Sequence, residues 1–151
     1  MEKLSLPQYQ TRLKEENGTT MVFGIIRKKY LVLTPEEWVR QHFVSYLIEH
    51  LSYPKALITV EQGLRYNSRQ KRSDIIVFDR KGKPLVLVEC KATSFALNQK
   101  VMEQAMMYNK TIRAPYIMIT NGIESSCMYL NEAESKVQFL PEIPSFNDIC
   151  K

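Results

Sequence analysis

Cysteine is scarce in this chain and badly placed for cross-linking. Cys90, Cys127 and Cys150 stand far apart, in odd number, with no C-x-x-C spacing. Such a set argues against a disulfide framework and against a zinc site. Histidine is scarcer still: His42 and His50 are the only two, and neither has a cysteine or a second histidine at ligand spacing. They read as two partly buried or surface side chains on one helix. No apolar run approaches the roughly 20 residues that cross a bilayer. The start, MEKLSLPQYQTRLKEENG, is too polar for the apolar region of a signal peptide. The expectation is a cytoplasmic protein that does not enter a membrane. Internal repeats, low-complexity tracts and Pro/Gly-rich linkers are also missing, so no internal domain boundary is expected. The pattern G-x-x-x-x-G-K-[ST] is absent, which leaves this chain without the phosphate loop of an ATP-driven motor.

What is present is one domain's worth of chain, residues 1–151, with a net charge of +5. That length buries about two-thirds of the unfolded surface, and the charge permits a polyanionic partner without demanding one. Arg69, Lys71 and Arg72 form a basic cluster, with Arg80, Lys81 and Lys83 close behind. A charge run is usually a solvated face; of these residues Arg69, Lys71 and Arg72 are the candidate nucleic-acid contact.

Hydrophobic periodicity outlines the elements. MVFGIIRKKYLVL reads as one or two short strands broken near Arg27 to Tyr30. Thr34-Pro35-Glu36-Glu37 signals a helix start, with Thr34 as N-cap, Pro35 at the first position and Glu37 placed for a capping box. The helix is expected to reach about Leu51, with Val39, Phe43, Tyr46, Leu47 and His50 on one face, before Pro54 blocks it. Leu57 to Tyr66 reads as a strand and Asn67 to Gln70 as a polar loop. Ser73 to Asp79 and Pro84 to Lys91 read as strands joined by Arg80-Lys81-Gly82-Lys83. Asn98 to about Ile112 is a second helix, with Val101, Ala105 and Tyr108 on one side. Pro115 to Thr120 is a buried strand, and Cys127 to Leu130 and Val137 to Leu140 are short late strands. This order predicts an α/β (α+β) domain, a central mixed sheet flanked by helices.

The stretch from Lys71 to Lys91 carries the chemistry. If its two strands form an antiparallel hairpin, Asp79 pairs with Pro84 and Asp74 with Glu89. Opposed residues share a face with Cβ atoms about 5 Å apart, so two carboxylates there repel unless a cation lies between them. Mg²⁺ is the natural candidate, since one or two carboxylates plus phosphate oxygens commonly hold it. Lys91, two residues beyond Glu89, projects from the same face. Its ammonium can orient an attacking water or stabilise charge developing on phosphate. The apolar run Leu85-Val86-Leu87-Val88 suits a buried central strand that presents Glu and Lys at its end. The same residues with Arg72 also make a plausible cross-strand ion-pair network and nothing more. On the first helix Glu36 falls on the face of Val39, Phe43 and Leu47 and is preferred as a third acid over Glu37, whose task is capping. On the second helix Gln104 and Tyr108, four apart, are surface neighbours.

Taken in order, these pieces resemble the PD-(D/E)XK nuclease superfamily: a helix acid, Asp74, Glu89-Cys90-Lys91 as the E-x-K element, then Gln104-x-x-x-Tyr108. The closer likeness is to the N-terminal nuclease domain of type I restriction enzyme R subunits, on TPEEWVRQ (34–41), SDIIVF (73–78), VECK (88–91) and ITNG (119–122). The similarity spans about residues 31–141, leaving 1–30 as an N-terminal extension. It implies a restriction-endonuclease-like core. It also implies Mg²⁺, with Mn²⁺ able to substitute, held by Asp74, Glu89 and the Cys90 carbonyl. Lys91 becomes the catalytic lysine, and Gln104 and Tyr108 are tied to nuclease activity and DNA placement. Ser73 stands where the superfamily's name has proline. The implied partners are DNA and other subunits of a restriction or repair assembly. Two activities follow as expectations: Mg²⁺-dependent DNA hydrolysis, or a non-cleaving DNA-binding or assembly module that keeps the fold. RNA is the weaker alternative, since neither an RNP aromatic signature nor a GXXG loop is present.

Overall fold

The computed structural model describes residues 2–60, 64–66, 69–71 and 75–150. In chain order the elements are β1 (Leu13–Glu16), β2 (Thr19–Gly24), β3 (Lys29–Val32), α1 (Pro35–Glu49), β4 (Ile58–Val60), β5 (Leu64–Tyr66), β6 (Arg69–Lys71), β7 (Ile75–Phe78), β8 (Pro84–Cys90), α2 (Gln99–Ile112), β9 (Tyr116–Thr120), β10 (Ser125–Asn131), β11 (Lys136–Leu140) and α3 (Phe146–Ile149). Six strands form one mixed sheet in the order β11-β10-β9-β8-β7-β4. Its β8–β9 pair is parallel and the other pairs are antiparallel. The architecture is the mixed sheet flanked by helices that the element order predicts.

Local chemistry sets α1. Thr34 Oγ1 accepts from the Glu37 N–H at 3.0 Å, Pro35 opens the first turn, and two acids face the positive end of the helix dipole. Val39, Phe43, Val44 and Leu47 are fully buried against one sheet face, where Ile75, Val77, Val86, Val88, Cys90, Met118 and Cys127 point. Tyr46 and His50, assigned to the same stripe from sequence, are half-buried and exposed respectively. The other sheet face is covered by α2. Tyr108 lies with Ile76, Leu87 and Ala114, and Ala105 with Ile117, Ile119 and Met128. A parallel neighbour requires a crossover, which α2 supplies by running back along β8. Its exit is locked by Asn109, whose side chain donates to Ala114 O at 2.9 Å and accepts from Ala114 N at 3.0 Å. The α3 segment closes the far end of α1: Phe146 meets Tyr53 edge-on, and the Tyr53 hydroxyl donates to Pro144 O at 2.8 Å.

Three readings from sequence are corrected. The stretch from Leu57 to Tyr66 is not one strand: β4 pairs with β7, whereas β5 pairs with β6 in a separate two-stranded sheet. The polar loop placed at Asn67 to Gln70 gives way to β6 from Arg69, because backbone pairing with β5 outweighs the polarity of the side chains. At the β7–β8 turn, Pro84 stands opposite Phe78 rather than Asp79, and the register shifts between Val77 and Phe78. A bulge of this kind adds an unpaired residue on one strand. Beyond it, Ile75 opposes Val88 and Val77 opposes Val86, the register the hairpin reading requires.

The N-terminal region forms a three-stranded antiparallel sheet, β1-β2-β3, in which β2 and β3 are the two short strands read in MVFGIIRKKYLVL, with the break at 25–28, and β1 is the strand the sequence reading left open. Its signal was Asn17-Gly18: both residues have positive φ, 52° and 79°, in a two-residue hairpin turn. Asn-Gly is the pair that tolerates that geometry best.

Asp79 organises the β7–β8 turn by accepting from the backbone N–H groups of Lys81 at 2.8 Å and Lys83 at 2.9 Å. The bond from Lys83, aided by that from Lys81, holds its pKa below the usual aspartate value. A carboxylate whose folded pKa is depressed stabilises the fold above its unfolded pKa, and the contribution disappears as pH falls through the folded value. The urea midpoint of wild type should therefore exceed that of Asp79→Ala by a constant margin above about pH 5, and the margin should close below about pH 4. A margin unchanged throughout the acid range would contradict this assignment.

Candidate active site

β8 is buried along nearly its whole length, and its last turn of pleat carries the polar groups. The Glu89 side chain is 5% exposed and its Oε1 lies 3.5 Å from Lys91 Nζ. The Lys91 side chain is 23% exposed, and its ammonium sits 5.8 Å from the centroid of the Phe95 ring. The Lys91 N–H donates to Thr120 O at 2.8 Å, which extends the β8–β9 ladder one step and holds the lysine at the strand end. By strand alternation Glu89 and Lys91 share the α2-side face with Leu87. Cys90 alternates to the other face, where its thiol is buried in the α1-side core. Asp74 lies outside the described residues, as does its pairing with Glu89. Among the described residues, no group of three or more His, Cys, Asp and Glu could hold a metal ion.

The acids of α1 are placed differently from the sequence reading. Glu37, assigned to capping, is the buried one, at 7% exposure. Its carboxylate accepts from Arg40 Nη1 at 2.8 Å and from Gln41 Nε2 at 2.9 Å. Glu36, preferred as the inward acid, is half-buried and bonds Arg40 Nη2 at 2.7 Å. Two of Arg40's guanidinium nitrogens thus bind two carboxylates, and Arg40 is itself 3% exposed. The face assignment from Val39, Phe43 and Leu47 missed this because residues flanking a narrow apolar stripe are separated by only one helical step, about 100°.

Contacts at the strand ends bring the first turns of α1 to the same end of the sheet as Glu89 and Lys91. The turn after β9 lies beneath Val39: a Cβ on Gly122 would stand 3.1 Å from Val39 Cγ2. The segment leading into the fold straps this corner. Ser5 N donates to Gly122 O at 2.8 Å, Trp38 Nε1 donates to Glu2 O at 3.0 Å, and the Glu2 carboxylate meets the Thr93 hydroxyl. Asn121 is buried; its Nδ2 donates to Phe95 O at 2.7 Å, while its Oδ1 accepts from Ile123 N and Glu124 N. Asn121 therefore fixes the loop that follows Lys91. Arg40, Gln41 and Asn121 were quoted in sequence motifs without a role. The available signal was helical spacing: Glu36–Arg40 and Glu37–Gln41 are four apart, Glu37–Arg40 three.

The α2 pair divides. Tyr108 is 3% exposed and sits over Ile76 and Leu87, whereas Gln104 is exposed. Because α2 runs back along β8, Gln104 is one turn nearer the Glu89 end. Arg69 and Lys71 lie on β6, while Arg72 lies outside the described residues. Arg80, Lys81 and Lys83 fall at the opposite end of β8 from Glu89, about 20 Å away at strand rise. Arg80 packs there over the Phe146 ring, 5.3 Å from its centroid.

The fold is that of a restriction-enzyme subunit domain. It matches a fragment of a chain described as an HsdR subunit of a type I restriction enzyme from Vibrio vulnificus YJ016, with a TM-score of 0.53 at 20% identity. That match covers 78% of this chain and 24% of the other, so this chain spans about a quarter of its structural relative. No curated protein matches the sequence. The family model described as type I restriction enzyme R protein N terminus matches residues 35–144, and the chain belongs to that family.

The burial difference between the two helix acids has a measurable consequence. Removing one member of a buried ion pair costs about 3–5 kcal/mol, and part of that is offset here because Arg40 keeps Glu36. Glu37→Ala should lower unfolding stability by about 2–3 kcal/mol, and Glu36→Ala, with its partly exposed carboxylate, by under about 1 kcal/mol. Urea titration of the two variants distinguishes them. Equal losses, or a larger loss for Glu36→Ala, would refute the assignment of Glu37 as the inward acid.

Proposed function

We propose that this chain is a Mg²⁺-dependent DNA-hydrolysing domain of the PD-(D/E)XK restriction type, with Asp74, Glu89 and Lys91 at its centre. The observation that carries the reading is the end of β8. A carboxylate only 5% exposed stands beside an ammonium that reaches solvent, at the rim of an otherwise apolar strand. The register of Ile75 opposite Val88 supports it, since Asp74 and Glu89 are the next residues along those two chains. Such a donor set suits a hard, oxygen-seeking cation: Asp74, Glu89 and the Cys90 carbonyl would hold it, the Cys90 thiol being turned into the core. Bound there, the ion supplies charge neutralisation at the scissile phosphate.

The remaining roles belong to the chain's own side chains. Lys91 holds a positive charge beside the site, where it aligns water or stabilises the negative charge that develops on the phosphate oxygens. Glu89 keeps that ammonium in place from 3.5 Å. Glu37, secured by Arg40 and Gln41, supplies a fixed negative charge from α1, with Glu36 on the solvent side of the same arginine. Gln104 reaches outward from α2 to contact DNA, and Tyr108 sets the height of that helix above the sheet. Arg69, Lys71 and Arg72 supply phosphate contacts that position the duplex. DNA and further subunits of a restriction assembly are the partners. A non-cleaving assembly module is the second reading, favoured by the Lys91–Glu89 pair itself, which satisfies part of the buried charge with no ion.

Supercoiled plasmid incubated with Mg²⁺ tests the activity, and variants separate the roles. Asp74→Ala should lose both metal binding and cleavage. Lys91→Ala should bind Mg²⁺ or Mn²⁺ at least as well by calorimetry, because an ammonium has no lone pair to give and repels the ion. Its cleavage should fall by about 10²–10³-fold, as when one preorganised transition-state contact is lost. Lys91→Ala cutting at the wild-type rate would remove the lysine from the mechanism. A wild-type protein that binds no metal and leaves plasmid intact would favour the assembly module.

A further inference from the structure

The outer face of the β1-β2-β3 sheet carries aromatic rings and cations in alternation, and it lies outside the residues matched by the family, 35–144. Strand alternation divides the sheet's two faces. Val22 and Leu31 are buried on the inner one, and Phe23, opposite Tyr30, turns to the outer one. There the rings lie 5.3 Å apart, edge to face at 70°. The Arg12 guanidinium stands 4.5 Å from the Phe23 centroid and Lys14 Nζ 4.3 Å from that of Tyr30. Lys28, exposed at the β2–β3 turn, adds positive charge. Of the two acids in this region, Glu15 accepts from Thr20 Oγ1 at 2.7 Å and Glu16 pairs with Lys14 at 3.1 Å.

We infer that this face is a binding platform for single-stranded nucleic acid. Its charge matches a phosphate backbone, and the rings with their stacked cations match the faces of unpaired bases. A duplex offers a protein face its phosphates and groove edges but not those base faces, so it leaves the rings unused. The sheet is seated against the helix of the proposed site. A Cβ on Gly24 would stand 3.4 Å from Gln41 Nε2, and Gln41 is the residue that donates to Glu37. A strand held on this platform would thus lie one layer away from the α1 acids. That last consequence rests on the nuclease reading, whereas the binding itself does not.

Fluorescence anisotropy with a labelled oligothymidylate of about 20 nucleotides, longer than a single-strand site of about 4–16 nucleotides, tests the platform. EDTA is kept in the buffer so that cleavage plays no part, and a hairpin duplex of equal length is the comparison. Wild type should bind the single strand more tightly than the hairpin. Phe23→Leu/Tyr30→Leu should weaken single-strand binding at least about tenfold, since each stacked base lost costs a factor of five or more. Arg12→Gln/Lys14→Gln should lower the slope of log affinity against log salt by about 1.4, two phosphate contacts on a single strand. The charge variant alters exposed side chains only, so it carries the test should the ring variant prove unfolded by circular dichroism. Single-strand binding unchanged in the folded variants, preference for the hairpin, or no binding to either probe would overturn the inference; the last would leave the face to a protein partner. A wild-type protein that binds the oligothymidylate but never cuts plasmid would sink the nuclease reading and leave this one standing.

Discussion

Everything near the candidate site depends on β8 being buried on both faces and paired on both edges. It meets β7 antiparallel on one side and β9 parallel on the other, with α1 over one face and α2 over the other. A strand so enclosed has no freedom of register, since a slip of one residue would turn Val86 and Val88 toward α2 and drive Glu89 into the α1-side core. The polar groups can therefore sit only where the strand emerges, and Glu89 and Lys91 are the first such groups. Their position is a consequence of packing, and the bulge beside Phe78 absorbs the mismatch at the other end without disturbing it.

The same end of the sheet is stiffened by side chains that do no chemistry. Thr120 and Asn121 satisfy the backbone of the β9–β10 turn, and Asn121 ties that turn to the loop after Lys91. Arg40 binds both helix acids from a nearly solvent-free position, so one guanidinium serves two carboxylates and the first turn of α1 keeps a net negative charge. A lone buried arginine or glutamate would be costly there; joined, each satisfies the other. Placement of this kind, in which supporting residues set the orientation of a few exposed polar atoms, is what a site requiring fixed geometry needs.

Much of this was legible in the sequence. Both long helices appeared within a few residues of their ends, because Thr34-Pro35 and Asn98 are local capping chemistry that acts before any tertiary contact forms. Glu89 and Lys91 on one face followed from the period of a strand. The Asn17-Gly18 hairpin was equally local and could have been read by the same rule. Other features were not local. β5 and β6 are only three residues each and polar, and nothing within three residues distinguishes a paired strand from a loop.

The sequence by itself determined the two long helices, the strands on either side of the Lys81-Gly82 turn and the chemical character of the end of β8, since capping, turn geometry and strand alternation act between neighbours in the chain. Tertiary structure alone decided which helix acid is buried, where the basic residues after Asp79 go, and which strands pair beyond the β7–β8 hairpin. Glu37 rather than Glu36 turned inward because Arg40 and Gln41, held by the packing of α1 on the sheet, offered it partners away from water. Arg80, Lys81 and Lys83 lie far from Glu89 because a buried strand of seven residues must carry its two ends to opposite edges of the core. Burial and charge pairing depend on what lies across the interior, and no spacing along the chain encodes that distance.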